Sequence, residues 1–281
     1  QYLVFSDDDD TLHPQLLSSA LAAQAESPPP ALVCWKYGPE FPVSLPLQLR
    51  PVPQSVDGLF LGSDFANVWG KLWSRELVNG FSIRFDESLR WCEDLDFVTR
   101  YLLALYQQNG ALTFLLIPHV LYRYEQQRPG NVTSRYSPDK LIYEQKTLPE
   151  VLNLFETQLQ QDAGRWGPFC QAQLFALIGR LTDLYRFETS LSPARRRRAI
   201  RGYLASPATR RLLALCGQYR VWPSMRFCAE HGLVRAVFFL ARNCYKPWYK
   251  ALVRIQLWIK NKFYWGFRAL RRLPPQGKEE P

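Results

Sequence analysis

The sequence predicts an α/β half followed by an all-helical half, and three observations carry that prediction. A short apolar run, Tyr2 to Phe5, stops at four consecutive aspartates, Asp7 to Asp10. A buried strand of an α/β sheet behaves this way where it meets the ligand side. Two further β-rich runs, Ala31–Tyr37 (ALVCWKY) and Ala111–Ile117 (ALTFLLI), alternate with helical patterns. Past residue 138 the chain reads as helical, with Ser192-Pro193 and Ser206-Pro207 as N-cap and first-turn signals. The expected organisation is an α/β portion over 1–138, a basic helical region over 139–273, and a disordered tail over 274–281.

Taken in order, Pro14–Ala25 predicts a helix with Leu16, Leu17, Ala20 and Leu21 on one face. Ser27-Pro28-Pro29-Pro30 ends it, and Ala31–Tyr37 is the second strand. Gly38–Pro53 holds five prolines and is expected to be a long irregular loop. Phe65–Val78 predicts a helix in which Val68, Leu72 and either Trp69 or Trp73 share a face beside Lys71 and Arg75. Gly80–Asp86 turns out of it. A helix then runs from Cys92-Glu93-Asp94 to about Gln108, and the strand Ala111–Ile117 leads into a polar loop, Tyr122 to Asn131.

Charge is distributed unevenly. The 281 residues carry a net +10, but residues 1–138 contribute −5 and residues 139–281 contribute +15. Between Thr189 and Lys278 the only acidic residue is Glu230. Such asymmetry points to an anionic partner for the second half: a membrane surface, nucleic acid or a phosphorylated substrate. No nucleic-acid-binding motif is present, so nucleic acid is not expected. Six cysteines (Cys34, Cys92, Cys170, Cys216, Cys228, Cys244) form no C-x-x-C pair, and three histidines complete no zinc pattern. A reducing compartment fits this usage. No uncharged apolar run approaches the ~20 residues that span a bilayer.

Four adjacent carboxylates repel one another unless a counter-charge joins them. Hard divalent cations such as Mg²⁺ or Mn²⁺, which take oxygen ligands, are the usual answer. A solvated acidic turn is the other reading of the run alone; the apolar run before it favours the cation.

The order of motifs narrows the chemistry. After the aspartates come NVWGKLWSREL (67–77), IRFDE (83–87), WCEDLDF (91–97) and YRYEQQRPGN (122–131). In this order they resemble the family 2 glycosyltransferases of bacterial capsule, exopolysaccharide and teichoic-acid assembly, over roughly residues 1–135. Phe5, Asp7, Asp9, Asp10, Leu12 and Pro14 are similar to that family's Asp-x-Asp metal motif. The resemblance implies a partial GT-A fold, a Rossmann-like nucleotide-diphospho-sugar transferase sheet. It also implies transfer of a sugar from a nucleotide-diphosphate donor to a glycan or lipid-linked acceptor, with inversion. The family's nucleotide-binding βαβ portion precedes its metal motif; here the chain starts almost on the motif, so that portion is expected to be missing. Asp7, Asp9, Thr11 and Leu12 also resemble the nucleophile motif of haloacid-dehalogenase-like phosphatases. There, however, Asp10 replaces a glycine, and no downstream G-D-x-x-x-D acid pair exists. An inactive truncated remnant or a glycan-binding subunit is the non-enzymatic alternative.

The resemblance assigns roles residue by residue. Asp7 and Asp9, with Asp10 in support, would hold Mn²⁺ or Mg²⁺ against the leaving diphosphate. Asp94 would be the base that takes the acceptor hydroxyl's proton, with Glu93 orienting the acceptor or sharing the role. An exposed acidic helix start is the bland reading of that pair. Arg128 and Asn131, with Arg123 as a substitute, would bind the diphosphate. Lys71 would touch donor or acceptor, or else be a solvated helix lysine. Trp69, Trp73 and Trp91 could stack on a sugar, although core packing is expected of at least two.

The last segment, Tyr245–Leu273, repeats Trp248, Leu252, Ile255, Ile259 and Phe263 at helical spacing, with eight basic residues and no acids. A basic amphipathic helix of this kind suits the plane of an anionic membrane. The expected location is therefore cytoplasmic, peripheral on the inner face of the cell membrane. Truncation before Tyr245 should leave a folded catalytic half that no longer sediments with anionic liposomes. The intact chain should bind them more weakly as salt rises, because headgroup attraction is screened over ~8 Å at physiological ionic strength. Unfolding on truncation, with no lipid binding by the intact chain at low salt, would instead make the segment a core helix.

Overall fold

The computed structural model describes residues 2–26, 30–42, 51–54, 66–109, 114–125, 140–159 and 191–218, with scattered positions between 167 and 184 and at 235, 236 and 239. Arg128, Asn131, the segment Tyr245–Leu273 and the tail 274–281 lie outside the described residues.

Six strands form one mixed sheet: β1 (Tyr2–Leu3), β2 (Thr11–Leu12), β3 (Leu32–Gly38), β4 (Val52–Gln54), β5 (Lys71–Ser74) and β6 (Phe114–Arg123). Their order is β1-β5-β3-β6-β2, with β4 also on β6. The spine is the parallel pair β3–β6, in register from Leu32↔Phe114 to Gly38↔Arg123. The other pairings, β1 with β5, β5 with β3, β2 with β6 and β4 with β6, are antiparallel. Alternation along β3 sends Leu32 and Cys34 into one apolar core and Val33 and Trp35 into the other. The sheet is thus covered on both faces, which explains why LVCW reads as a continuous apolar run.

Helix α1 (Leu16–Gln24) covers one face. The other carries α2 (Arg75–Gly80), α3 (Glu93–Asn109), α4 (Lys140–Leu159), α5 (Pro193–Ala205) and α6 (Pro207–Gln218). Both Ser-Pro starts behave as read: Ser192 Oγ accepts from the Arg195 amide at 3.4 Å, and Ser206 Oγ from the Thr209 amide at 3.3 Å. The larger core runs without a break from Leu32 and Trp73 through Phe97, Tyr101 and Leu102 of α3 to Leu152 and Phe155 of α4 and Leu212 of α6.

Four sequence expectations are corrected. Tyr2–Phe5 is not a buried strand; β1 has two residues at the sheet edge, and Tyr2 is 42% exposed. In α1 the buried face is Leu16, Ala20 and Ala23, while Leu17 and Leu21 face outward. The described part of Phe65–Val78 is not one helix. Gly70 takes a left-handed φ of 80°, Lys71–Ser74 pairs with β1 and β3, and Ser74 then caps α2 through the Leu77 amide. Its apolar spacing fits a helix only because the strand is buried on both faces. Lastly, β6 continues through Pro118 to Arg123. Pro118 and His119 fall where the β3 register jumps from Trp35↔Ile117 to Lys36↔Val120, so the missing N–H costs no ladder bond. Tyr122 and Arg123 are therefore strand residues, not loop.

Leu152 of α4 is fully buried in this continuous core. Leu152→Ala should cost ~2–5 kcal/mol of stability. Its chemical denaturation should remain one transition, with far-UV helix signal and tryptophan fluorescence lost together. Two separated transitions would show that α4 and the sheet do not share a core.

Candidate active site at the carboxyl ends of the parallel strands

Strands β1 and β2 occupy opposite ends of the strand order. The segment between them, Val4 to Asp10, therefore crosses the sheet at the end where the parallel strands β3 and β6 terminate. Ligands of open α/β sheets bind at that end. The crossing carries the four aspartates. Phe5 anchors it, packing edge-on against Trp73, Phe85 and Phe97 at ring distances of 6.4, 5.6 and 5.4 Å.

Asp7, Asp9 and Asp10 each offer a carboxylate oxygen within 4.8 Å of the others, a spacing that suits one divalent cation. The Asp10 amide closes a turn onto the Asp7 carbonyl at 3.3 Å. Asp10 is held from both sides: one oxygen accepts from the Tyr122 hydroxyl and the other from the Glu125 amide at 2.9 Å. Partial desolvation, then the charges of Asp10, Asp9, Asp8 and Glu93, raise the Asp7 carboxyl above the ordinary carboxylate range. Hard oxygen donors are what this turn presents.

Glu93 and Asp94 open α3, where the helix dipole favours anions. The preceding Cys92 has a φ of 63°, a strained backbone for a residue with a side chain, and it sits where the chain is aimed into the helix. One Asp94 oxygen accepts from the Val68 amide at 3.2 Å. Burial raises the Asp94 carboxyl from 3.8 to about 6; the Val68 bond opposes this, Glu93 and Asp7 reinforce it, and Lys71 opposes it. Asp94 therefore feels the charges of Glu93, Asp7 and Lys71, although Asp7 lies far away in the sequence. A carboxylate poised near pH 6 in a partly dry setting is suited to take a proton at neutral pH.

Lys71 is not the solvated helix lysine. It lies on β5, is 2% exposed, donates to the Asn67 carbonyl at 2.5 Å and sits 5.9 Å from the Trp73 ring centre. Arg123 ends β6 beside the aspartate turn and donates to Thr11 Oγ1 at 2.9 Å. Trp73 and Trp69 are both buried, as core packing requires, and Trp91 is half-buried.

Sequence reasoning missed Tyr122, Val68 and the aromatic stack. Tyr122 lies flat against Trp69 at 5.0 Å, Trp69 against Tyr124 at 5.3 Å, and Tyr37 meets Trp69 edge-on. Burial, then its bond to Asp10, raises the Tyr122 phenol far above the ordinary range, so it acts as a neutral hydroxyl. The β-rich run continuing past Pro118 as HVLYRY could have placed Tyr122 on a strand. Nothing in the sequence shows a backbone amide such as that of Val68.

The sheet with its helical cover, a GT-A-like sheet followed by helices, is similar in fold to solved glycosyltransferase structures. No protein-family model and no curated protein matches the sequence significantly. Solved structures do. One is residues 1–349 of the glycosyltransferase TarS from S. aureus in complex with UDP-GlcNAc, at TM-score 0.54 and 16% identity, covering 87% of this chain and 67% of that one. A second crystal structure of the same TarS fragment gives TM-score 0.52 and 15% identity, covering 87% and 66%.

The Asp94 shift makes a stability prediction with a definite sign. The folded carboxyl is protonated up to about pH 6, whereas the unfolded one releases its proton near 3.8. The stability tied to that proton is present below pH 3.8 and is lost as pH rises to about 6; above this the buried charge remains a cost. Asp94→Asn keeps an oxygen for the Val68 amide and removes the charge. It should therefore stabilise the fold at pH 7.5 by about 2 kcal/mol, a gain that vanishes near pH 4. Thermal unfolding of both proteins across pH 4–8 measures it; an unchanged or lowered Tm at pH 7.5 would contradict it.

Proposed function

We propose that this chain acts as a glycosyltransferase. It would move a sugar from a nucleotide-diphosphate donor to a glycan or lipid-linked acceptor of the cell surface, with inversion. The observation that carries the reading is the meeting of two distant motifs: the aspartate turn and the Asp94 carboxylate share one electrostatic site at the carboxyl ends of β3 and β6. The UDP-GlcNAc bound by TarS supports a nucleotide sugar as donor class.

In this mechanism Asp94 accepts the proton of the acceptor hydroxyl. The freed oxygen attacks the anomeric carbon from the side opposite the diphosphate, which leaves with the bonding electrons. Lys71 and the Val68 amide favour Asp94 as the anion that can take that proton. Asp7 and Asp9 would hold Mn²⁺ or Mg²⁺, which when bound supplies the positive charge that stabilises the leaving diphosphate. Glu93 orients the acceptor, and Arg123, with Arg128 and Asn131, completes the cationic and amide donors for phosphate. Residues 1–138 form the catalytic portion and 139–273 the helical portion, whose end lies on the inner membrane surface.

The tests separate the two carboxylate groups, using a full-length protein with UDP-GlcNAc as the first donor. Asp7→Asn and Asp9→Asn should abolish Mn²⁺- or Mg²⁺-dependent donor binding. Asp94→Asn should leave donor binding intact and lower kcat by about 10²–10⁴-fold, and the wild-type rate should fall as pH drops through about 6. Metal-independent transfer by both Asp7 and Asp9 variants would remove the motif assignment. An active Asp94→Asn beside a dead Glu93→Gln would move the base to Glu93.

A further inference from the structure

Tyr122 holds two points of the aspartate turn at once. Its hydroxyl accepts from the Asp7 amide at 3.1 Å and donates to an Asp10 oxygen. The other Asp10 oxygen takes the Glu125 amide, two residues beyond the end of β6. Tyr122 itself cannot move far. It is fully buried, its backbone pairs with both Leu12 of β2 and Tyr37 of β3, and its ring lies flat on Trp69 at 5.0 Å. Asp10 is correspondingly held in place: each of its oxygens accepts one hydrogen bond, from Tyr122 or from the Glu125 amide, and keeps a further lone pair for a cation.

We propose that Tyr122 is the positioning residue of the cation site: it fixes the Asp7 backbone and the Asp10 carboxylate, and so holds Asp7, Asp9 and Asp10 at the spacing one divalent cation takes. This rests on the metal-dependent reading above and goes beyond it, by naming the group outside the carboxylates that sets their spacing. The physical reason is preorganisation. Like charges on a free turn spread apart, and a neutral hydroxyl anchored in the core holds them together without adding charge. Hydrogen bonds to ligand-bearing groups of this kind typically carry ~10–100-fold in metal affinity.

The test uses the full chain and three variants. Tyr122→Phe removes one oxygen and keeps the ring on Trp69. Mn²⁺ alone, titrated by the loss of its free EPR signal, should bind Tyr122→Phe ~10–100-fold more weakly than wild type. Asp10→Asn should lose at least as much, and the double variant should lose less than the two factors combined, because the two residues share one hydrogen bond. In transfer assays, saturating Mn²⁺ should restore kcat in Tyr122→Phe, an outcome that a general loss of structure would not give. Hydrogen exchange without metal should show the Asp7 amide losing protection in Tyr122→Phe, while the β3–β6 ladder stays protected. Wild-type Mn²⁺ affinity in Tyr122→Phe, or full additivity with Asp10→Asn, overturns the proposal. So does an Asp7 amide equally protected in both proteins. A wild type that binds no Mn²⁺ would sink the cofactor reading itself, and the exchange result would then decide the anchoring role on its own.

Discussion

Everything at the site is referred to one pairing, the parallel ladder between β3 and β6. Parallel strands need both faces covered, and this pair has a core on each side: Leu32 and Cys34 toward the helices α3–α6, Val33 and Trp35 toward α1. The ladder also sets where irregular backbone is tolerated. It shifts register twice, between Trp35 and Lys36, where Pro118 is absorbed, and between Lys36 and Tyr37; beyond both, Tyr122 and Arg123 still pair with Tyr37 and Gly38. A ladder that ended at Pro118 would leave Tyr122 in a loop, and the aspartate turn would lose the hydrogen bonds that tie Asp7 and Asp10 to the core.

The site spends stability in several small ways. Four carboxylates share a turn, Cys92 holds a left-handed φ, and Asp94 is ionised at neutral pH in a setting that raises its carboxyl to about 6. The Cys92 backbone and the Asp94 charge each cost on the order of 1–3 kcal/mol. The surrounding core is large enough to carry them, and the same strained points are the ones that put charge where a leaving diphosphate and an acceptor proton would be handled. This coincidence of cost and chemistry is the pattern expected of a working site rather than of an incidental acidic surface.

How far the sequence disclosed this differs by element. β3 and α3 were legible because their patterns are long: a seven-residue apolar run, and a helix of 17 residues opened by acids. The cap signals at Ser192 and Ser206 were legible because capping is local chemistry. The failures have one cause. GKLWS was misread because burial on both faces erases the period that separates strand from helix. β6 was cut short because a proline inside a strand is tolerated only at a bulge, and a bulge is a property of the partner strand. The aspartates and the Glu93-Asp94 pair were visible as residues, but their meeting was not, since it depends on the crossing from β1 to β2. Tyr122 was invisible as a participant for the same reason.

The helical half bears on the chemistry through α3. The helix that presents Asp94 is gripped on one side by Trp73 and Phe5 of the sheet half, through Phe97 and Tyr101. On the other side it packs on α4 within the same core, and α4 is tied in turn to α6, where Arg211 bonds Glu156 and, at 2.9 Å, Asn153. The ion pair is partly exposed and contributes little by itself; the buried Leu152, Phe155 and Leu212 carry the contact. Helix α3 is thus fixed by two layers rather than one. A carboxylate within hydrogen-bond reach of an acceptor must be held to a fraction of an ångström, and a 17-residue helix packed on a sheet alone would leave its far face to water. The described helices beyond residue 138 supply that second wall, so they hold Asp94, the proposed base, in place as much as they serve any surface the basic region binds.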